Sequence, residues 1–243
     1  MTDLHCHIFP GVDDGAGNLS DALEMAAVAA SAGVHDIAVT PHCNIPGVYR
    51  NHWGPAFDTG LELLQERLDQ QKIPVRLYSG QEIFLASGYM ELLEAGKLIP
   101  INGSRYVLVE FDTQERAATA LGKLGQLTAS GYVPIVAHPE RYAFVAEDPD
   151  MPHRIKAAGG LLQVIRGSFG GRFGPAASRA ALDMMDRRLV DFVSSDAHSQ
   201  YSRTPYLMDE HEFVCENYSE DYGDLLFQTN PDKVLRDQTI YRY

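Results

Sequence analysis

Basic charge is scarce in this sequence: 20 Lys and Arg face 33 Asp and Glu, a formal net charge of -13 over 243 residues. A protein that grips a phosphate backbone needs a general positive surface to displace counterions, so nucleic acid is not an expected partner. Long apolar runs are missing too. No segment approaches the ~18 uninterrupted apolar residues of a membrane span, and the N-terminus enters a mixed polar strand directly. Neither stable membrane insertion nor a signal peptide is therefore expected, and the chain reads as cytoplasmic. The cysteines are only three, Cys6, Cys43 and Cys215, with no CxxC spacing, which speaks for reduced thiols and not a disulfide framework. A thiolate phosphatase also needs an arginine six positions after its cysteine. Those positions hold Val12, Tyr49 and Asp221. Finally, no Gly-rich phosphate loop or dinucleotide fingerprint follows the first strand candidate.

What the sequence does have is a 45% hydrophobic content and an alternation of strand-like and helix-like stretches. Seven runs read as strands: TDLHCHI, DIAVTPH, VRLYSGQEI, RYVLVEF, VPIVAHPE, LLQVIRG and VDFVSSDAH. A helix fits between each pair. The first runs from a cap at Asn18 or Ser20, with Leu23, Ala26, Ala27 and Ala30 on one face, to a stop at Gly33. Others fall near 55–71, 89–97, 114–130, 151–158, 175–188 and 205–217. Seven successive βα units with short connections predict one α/β domain over 1–243 with an all-parallel sheet. At this length a closed or nearly closed barrel, TIM-like with seven units, is the expected form.

The chain begins MTDLHCHI. In a strand the side chains alternate, so His5 and His7 share a face and sit roughly 6 to 7 Å apart, close enough to share one cation. Cys6 points to the other face with Leu4 and Ile8, which removes it as a nucleophile. Further ionisable residues fall at later strand ends: His42 on the second, Glu82 on the third, Glu110 on the fourth, His138 on the fifth, and Asp196 with His198 on the seventh. Asp13 and Asp14 follow the first. Every strand of a parallel barrel ends on the same rim, so these groups converge. Imidazoles and carboxylates without thiolates suit Mn²⁺, Fe²⁺ or Zn²⁺. Nine or so ligands exceed what one ion uses, which implies two or three ions close together. Such a cluster lowers the pKa of a bridging water and binds the oxygens of an anionic ester, so hydrolysis of a phosphate ester is the natural reaction.

Two arginines start beside that rim. Arg141 lies in HPER after His138, and Arg203 follows His198 by five residues; a guanidinium can grip two phosphoryl oxygens in the transition state. The Pro, Gly and polar-rich stretches near 44–55 and 166–175 are placed on the same rim. Within the second, GSFGGRFG reads most simply as a flexible loop, with gating or substrate contact as the other possibility.

Together DLHCHIFPGVDDGA, VTPH, SGQEI, VLVEF, AHPERY and SSDAH resemble the successive motifs of the polymerase-and-histidinol-phosphatase (PHP) superfamily. The PGVDDGA, GQEI and HPERY wording is most similar to its manganese-dependent bacterial protein-tyrosine phosphatases, the CpsB/YwqE group associated with capsule and exopolysaccharide synthesis. The likeness runs from about residue 3 to residue 230. It implies a distorted seven-unit βα barrel of the PHP fold with a three-ion cluster, Mn²⁺ first and Fe²⁺ or Zn²⁺ next. By that resemblance His5, His7, Glu82 and Asp196 hold one ion, Glu82, Glu110 and His138 a second, and Asp14, His42 and His198 a third, with Asp13 left open in place of Asp14. Arg141 and Arg203 correspond to the phosphate-binding arginines. The substrate implied is phosphotyrosine on the tail of a bacterial tyrosine kinase.

The chain departs from this pattern at Cys43, where relatives often carry a second histidine, and before the Gly-rich stretch, where relatives tend to read Gln-Ile-Asn and this chain reads Gln163, Val164, Ile165, Arg166. The added charge of Arg166 suits either a more acidic phosphopeptide or pairing with surface carboxylates. Two other readings compete with the tyrosine phosphatase. One is a PHP-type phosphatase of a small phosphomonoester such as histidinol phosphate or a sugar phosphate. The other is a kinase-binding protein whose metals only hold the barrel together.

Overall fold

A computed structural model describes residues 1–241. The strands are β1 Thr2–Cys6, β2 Asp36–Val39, β3 His42–Cys43, β4 Arg76–Ser79, β5 Glu82–Phe84, β6 Tyr106–Glu110, β7 Val133–Ala137, β8 Leu161–Ile165 and β9 Phe192–Ser194. The helices are α1 Leu19–Ser31, α2 Pro55–Gln70, α3 Tyr89–Glu94, α4 Ala117–Ala129, α5 Ala143–Ala146, α6 Met151–Ala157, α7 Pro175–Asp186, α8 Met208–Asn217, α9 Glu220–Asp224 and α10 Asn230–Leu235. α1 starts as its sequence indicates: Asn18 Oδ1 accepts from the Asp21 amide, and the chain leaves the helix through Gly33 at φ +75°, a conformation a side chain would strain.

All strand pairs are parallel, in a three-stranded sheet β1-β2-β4 and a six-stranded sheet β3-β5-β6-β7-β8-β9. The second and third strand candidates are each cut in two. Pro41 lacks an amide proton and separates β2 from β3, and Gly80-Gln81 separates β4 from β5. The paired breaks bend two adjacent strands together, so that His42↔Glu82 pair in the second sheet while Val39↔Ser79 pair in the first. Past β9, Ala197 bridges Cys6, with the His7 amide donating to Ala197 O at 2.9 Å and the Asp196 amide donating to His5 O at 2.8 Å. The result is a distorted parallel βα barrel.

Two cores fill it. Leu4, Ala38, Tyr106, Leu108, Ile135, Ala137, Leu161 and Phe192 come from six strands of both sheets and fill the enclosed space. Cys6, Ile8, Val107, Val109, Val136, Leu162, Val164 and Val193 face outward against α1, α4, α6 and α7. Leu4 therefore does not share the face of Cys6 and Ile8. Asp3 pairs Ile37 but Cys6 pairs Val39, so three residue steps on β1 match two on β2, and the bulge turns Leu4 inward without turning His5 and His7 outward. At the end of the barrel where the strands begin, Val234, Leu235 and Ile240 close the interior, pinned by Thr2 Oγ1 on Asp232 and by the Tyr106 hydroxyl on Gln238 O. The opposite end is left for chemistry. Among the described residues no helix is long and apolar enough to cross a membrane.

Candidate metal centre

The candidate ligands sit at or just beyond strand ends, except His42 and Glu82, which stand just past the breaks that divide the second and third strand candidates. His5 is in β1 and His7 follows it, His42 opens β3, Glu82 opens β5 and Glu110 ends β6. His138 follows β7, and Asp196 and His198 follow β9. His138 at φ +36° and Asp196 at φ +49° are left-handed, a cost of roughly 1 kcal/mol each that turns both side chains into the barrel mouth.

The deepest group is His5, His7, Glu82 and Asp196, all essentially without solvent exposure. His5 Nε2 and His7 Nε2 lie 3.2 Å apart. Glu82 Oε2 is 3.3 Å from each, and Asp196 Oδ1 is 3.4 Å from each. These are five of the six edges of a tetrahedron, and a regular one of that edge has its centre about 2.0 Å from every corner, the bond length of a first-row divalent ion to nitrogen or oxygen. The imidazoles are held for that role from behind. His5 Nδ1 donates to Gln163 Oε1 at 2.8 Å and His7 Nδ1 donates to Asp13 Oδ2 at 2.8 Å, so both Nε2 lone pairs point at the same place. Two lone pairs that close require a cation or a proton between them. The donor set fits a metal ion.

A second group joins it through Glu82. His138 Nε2 is 2.9 Å from Glu82 Oε1 and 4.0 Å from Glu110 Oε2. The His42 ring enters here as well, its Nδ1 2.8 Å from Glu82 Oε2 and 3.0 Å from Glu110 Oε1. The third group is Asp14, His42 and His198 with His7 behind them. Asp14 Oδ1 is 3.6 Å from His42 Nε2 and 3.5 Å from His198 Nε2. With its side chain 54% exposed, Asp14 sits at the opening, so this group is the most open to solvent. Asp13 and Asp14 thus divide: Asp13 is a buried brace that also accepts from the His42 and Gly15 amides, and Asp14 faces the rings.

The balance of charge among these side chains follows the same contacts. Burial opposes a charge on His42, but Glu82 and Glu110 outweigh it and push the ring up to about 10. Burial likewise opposes a charged His7, and the Asp13, Asp196 and Glu82 carboxylates still raise it well above its ordinary value. Asp14 is held well below the carboxylate range, first by the hydrogen bond from His198. Burial pushes Asp196 up, yet His5, His7 and Arg203 hold it far down.

Both arginines reach the outer oxygen of Asp196, which turns its other oxygen to His5 and His7. Arg203 Nη2 is 2.5 Å from Asp196 Oδ2, and Arg141 Nη1 is 3.6 Å from the same atom. The Arg141 guanidinium lies 5.1 Å over the Phe173 ring.

The Gly-rich stretch that carries Phe173 is a run of hydrogen-bonded turns tied down at its start. Ser168 Oγ donates to buried Glu140 at 2.5 Å, the Gly167 amide donates to Glu210, and Phe169 stacks on Phe213. Arg166 is spent on Tyr206 O, exposed Asp209 and largely buried Glu210. Cys43 is buried, its thiol on Glu82 O.

A family model described as capsular polysaccharide synthesis, CpsB/CapC, matches residues 1–236. The chain belongs to the CpsB/CapC family. Among CpsB/CapC relatives, Tyrosine-protein phosphatase YwqE of Bacillus subtilis is 34% identical over 242 residues, covering 100% of this chain and 94% of that protein. Tyrosine-protein phosphatase CpsB of Streptococcus pneumoniae is 27% identical over 245 residues, covering 99% and 100%. A crystal structure from work on YwqE of Bacillus subtilis and CpsB of Streptococcus pneumoniae, unique metal-dependent tyrosine phosphatases, superposes with a TM-score of 0.92 at 33% identity, covering 100% of this chain and 97% of that one. An organophosphorus hydrolase from Deinococcus radiodurans shares the fold alone, at a TM-score of 0.62 and 13% identity.

Sequence reasoning missed Gln163 and the bracing role of Asp13. The signal for Gln163 was a lone polar residue inside the apolar run LLQVI.

Proposed function

We propose that this CpsB/CapC chain is a metal-dependent protein-tyrosine phosphatase. Its proposed ligands are His5, His7, Glu82 and Asp196 for one ion, Glu82, Glu110 and His138 for a second, and Asp14, His42 and His198 for a third. The observation that carries the reading is the tetrahedral convergence of His5, His7, Glu82 and Asp196, continued through shared Glu82 into a second group and through His42 into a third. Mn²⁺ is the proposed ion, with Fe²⁺ and Zn²⁺ also compatible with nitrogen and carboxylate donors. When bound, such ions supply Lewis acidity, lowering the pKa of a water and neutralising charge on phosphoryl oxygens.

The protein's own residues do the rest. Arg141 and Arg203 flank the site and grip phosphoryl oxygens, where their fixed charge counts most as negative charge builds. Gln163 and Asp13 hold the His5 and His7 tautomers, so those rings need no reorganisation. Phosphotyrosine suits this equipment because a phenol of pKa near 10 departs with little acid assistance. The proposed partner is the tyrosine-rich tail of a bacterial tyrosine kinase that governs capsule or exopolysaccharide synthesis.

The test is phosphate release from a phosphotyrosyl peptide with added Mn²⁺. Turnover that disappears on chelation and in His138→Ala supports the reading. Turnover that survives both, or none with any of the three metals, overturns it.

A further inference from the structure

Beside the metal groups stands a short hairpin that none of the ligand or arginine assignments uses. Ile45 and Tyr49 form an antiparallel bridge, with the Ile45 amide donating to Tyr49 O at 2.8 Å, and the tip turns through Gly47 at φ +74°. Its base is clamped on both sides. Asn44 Nδ2 donates to Phe84 O, and Asn51 Nδ2 donates to Val12 O and to His42 O. This pin holds the Tyr49 ring beside a proposed ligand, with exposed Val48 next to it in sequence. Val48 is 65% exposed, and the Tyr49 ring lies parallel to the His42 imidazole within 2°, centroids 5.8 Å apart. The Tyr49 hydroxyl makes no hydrogen bond among the described residues, so the ring is not held there by its polar end. A hydrophobic, rigidly mounted ring next to an otherwise polar cluster has an energetic cost in water that a second ring relieves.

We propose that Tyr49 is the specificity-determining wall of the site, packing against the aromatic ring of an aryl phosphate whose phosphoryl group is held at the metal groups and arginines. The inference rests on the phosphatase reading and adds to it the residue that distinguishes aryl from alkyl esters. The geometry supports it because His42 belongs to two of the ligand groups and the Tyr49 ring lies parallel to it, 5.8 Å away. In this proposal the substituent of an ester held at those groups reaches that ring. A methyl or seryl substituent is too short to cover it.

The test separates ring from phosphoryl recognition without turnover. Phenylphosphonate and methylphosphonate share the anionic group and differ in the ring, and calorimetry measures each on the full chain loaded with Mn²⁺. The wild type is expected to favour phenylphosphonate by about tenfold. Tyr49→Phe keeps that preference. Tyr49→Leu, which fills the place without a π face, reduces it to about twofold or less while leaving methylphosphonate binding unchanged. An undiminished preference in Tyr49→Leu, or equal loss of both ligands, overturns the inference and leaves the phosphatase reading standing. Failure of the wild type to bind either phosphonate overturns both.

Discussion

The adjacent acids Asp13 and Asp14 are expected to respond oppositely to the same substitution. Asp13 has a fully buried side chain and takes three hydrogen bonds: His7 Nδ1 at 2.8 Å, the His42 amide at 2.9 Å and the Gly15 amide at 3.0 Å. Asparagine has only one acceptor oxygen. Kept at the His7 and His42 side, that oxygen leaves an NH₂ group against the Gly15 amide, donor facing donor. A lost hydrogen bond to a charged acceptor plus an unpaired buried donor costs about 2 kcal/mol. In a chain of this size that lowers the melting temperature by about 4–8 °C. Asp14 is half exposed and sits at 3.5 and 3.6 Å from two rings, contacts that contribute less than about 1 kcal/mol. Asp14→Asn is therefore expected to melt less than about 4 °C below the wild type when metal-free, yet to hold one ion fewer when loaded. Calorimetric melts of the metal-free proteins and metal analysis of the loaded ones check both halves. Asp14→Asn melting as low as Asp13→Asn, or losing no ion, refutes the division of roles.

Glu82 is a proposed ligand in two of the three groups, touching His5, His7 and His138 there and His42 of the third, so Glu82→Gln is expected to lose two ions while Asp14, His42 and His198 retain theirs; metal analysis after gel filtration reads it. Gln163→Leu frees the His5 ring to rotate, and the affinity of the deepest ion is expected to fall about 10- to 100-fold in a competition titration against a chelator. Arg141→Lys and Arg203→Lys keep the charge but lose the planar fork, and kcat/KM on a phosphotyrosyl peptide is expected to drop about 10- to 100-fold for each with metal content unchanged.

Much of this arrangement was legible in the chain because a parallel barrel gathers strand ends on one rim. Motifs such as LHCH, GQEI and SDAH therefore needed no contact information to be grouped, and their distant positions meet within a few ångströms. Helix ends were read well where local chemistry decides them, as with Asn18 and Gly33 around α1. What could not be read depends on long-range pairing. The breaks at Pro41 and Gly80 matter only because the two strands are neighbours, and the bulge between Asp3 and Cys6 shows only against the register of β2. For the same reason alternation placed Leu4 with Cys6 and Ile8, when the bulge turns it inward. Two adjacent acids in a loop are equivalent as letters and become distinct only when His7 and His42 are in place around them. The Gly-rich stretch reads as flexible from composition, and its anchors come from two other parts of the chain, Glu140 after β7 and Glu210 with Phe213 on α8.

The central claim is that three ligand groups around Glu82 and His42 form one hydrolytic centre. Titration of the metal-free protein with Mn²⁺, following phosphate release from a phosphotyrosyl peptide against ions bound per chain, tests it most directly. No turnover is expected without metal, and full activity only as the third equivalent binds at the Asp14 group. Full activity at one equivalent, or turnover by the metal-free protein, would contradict it.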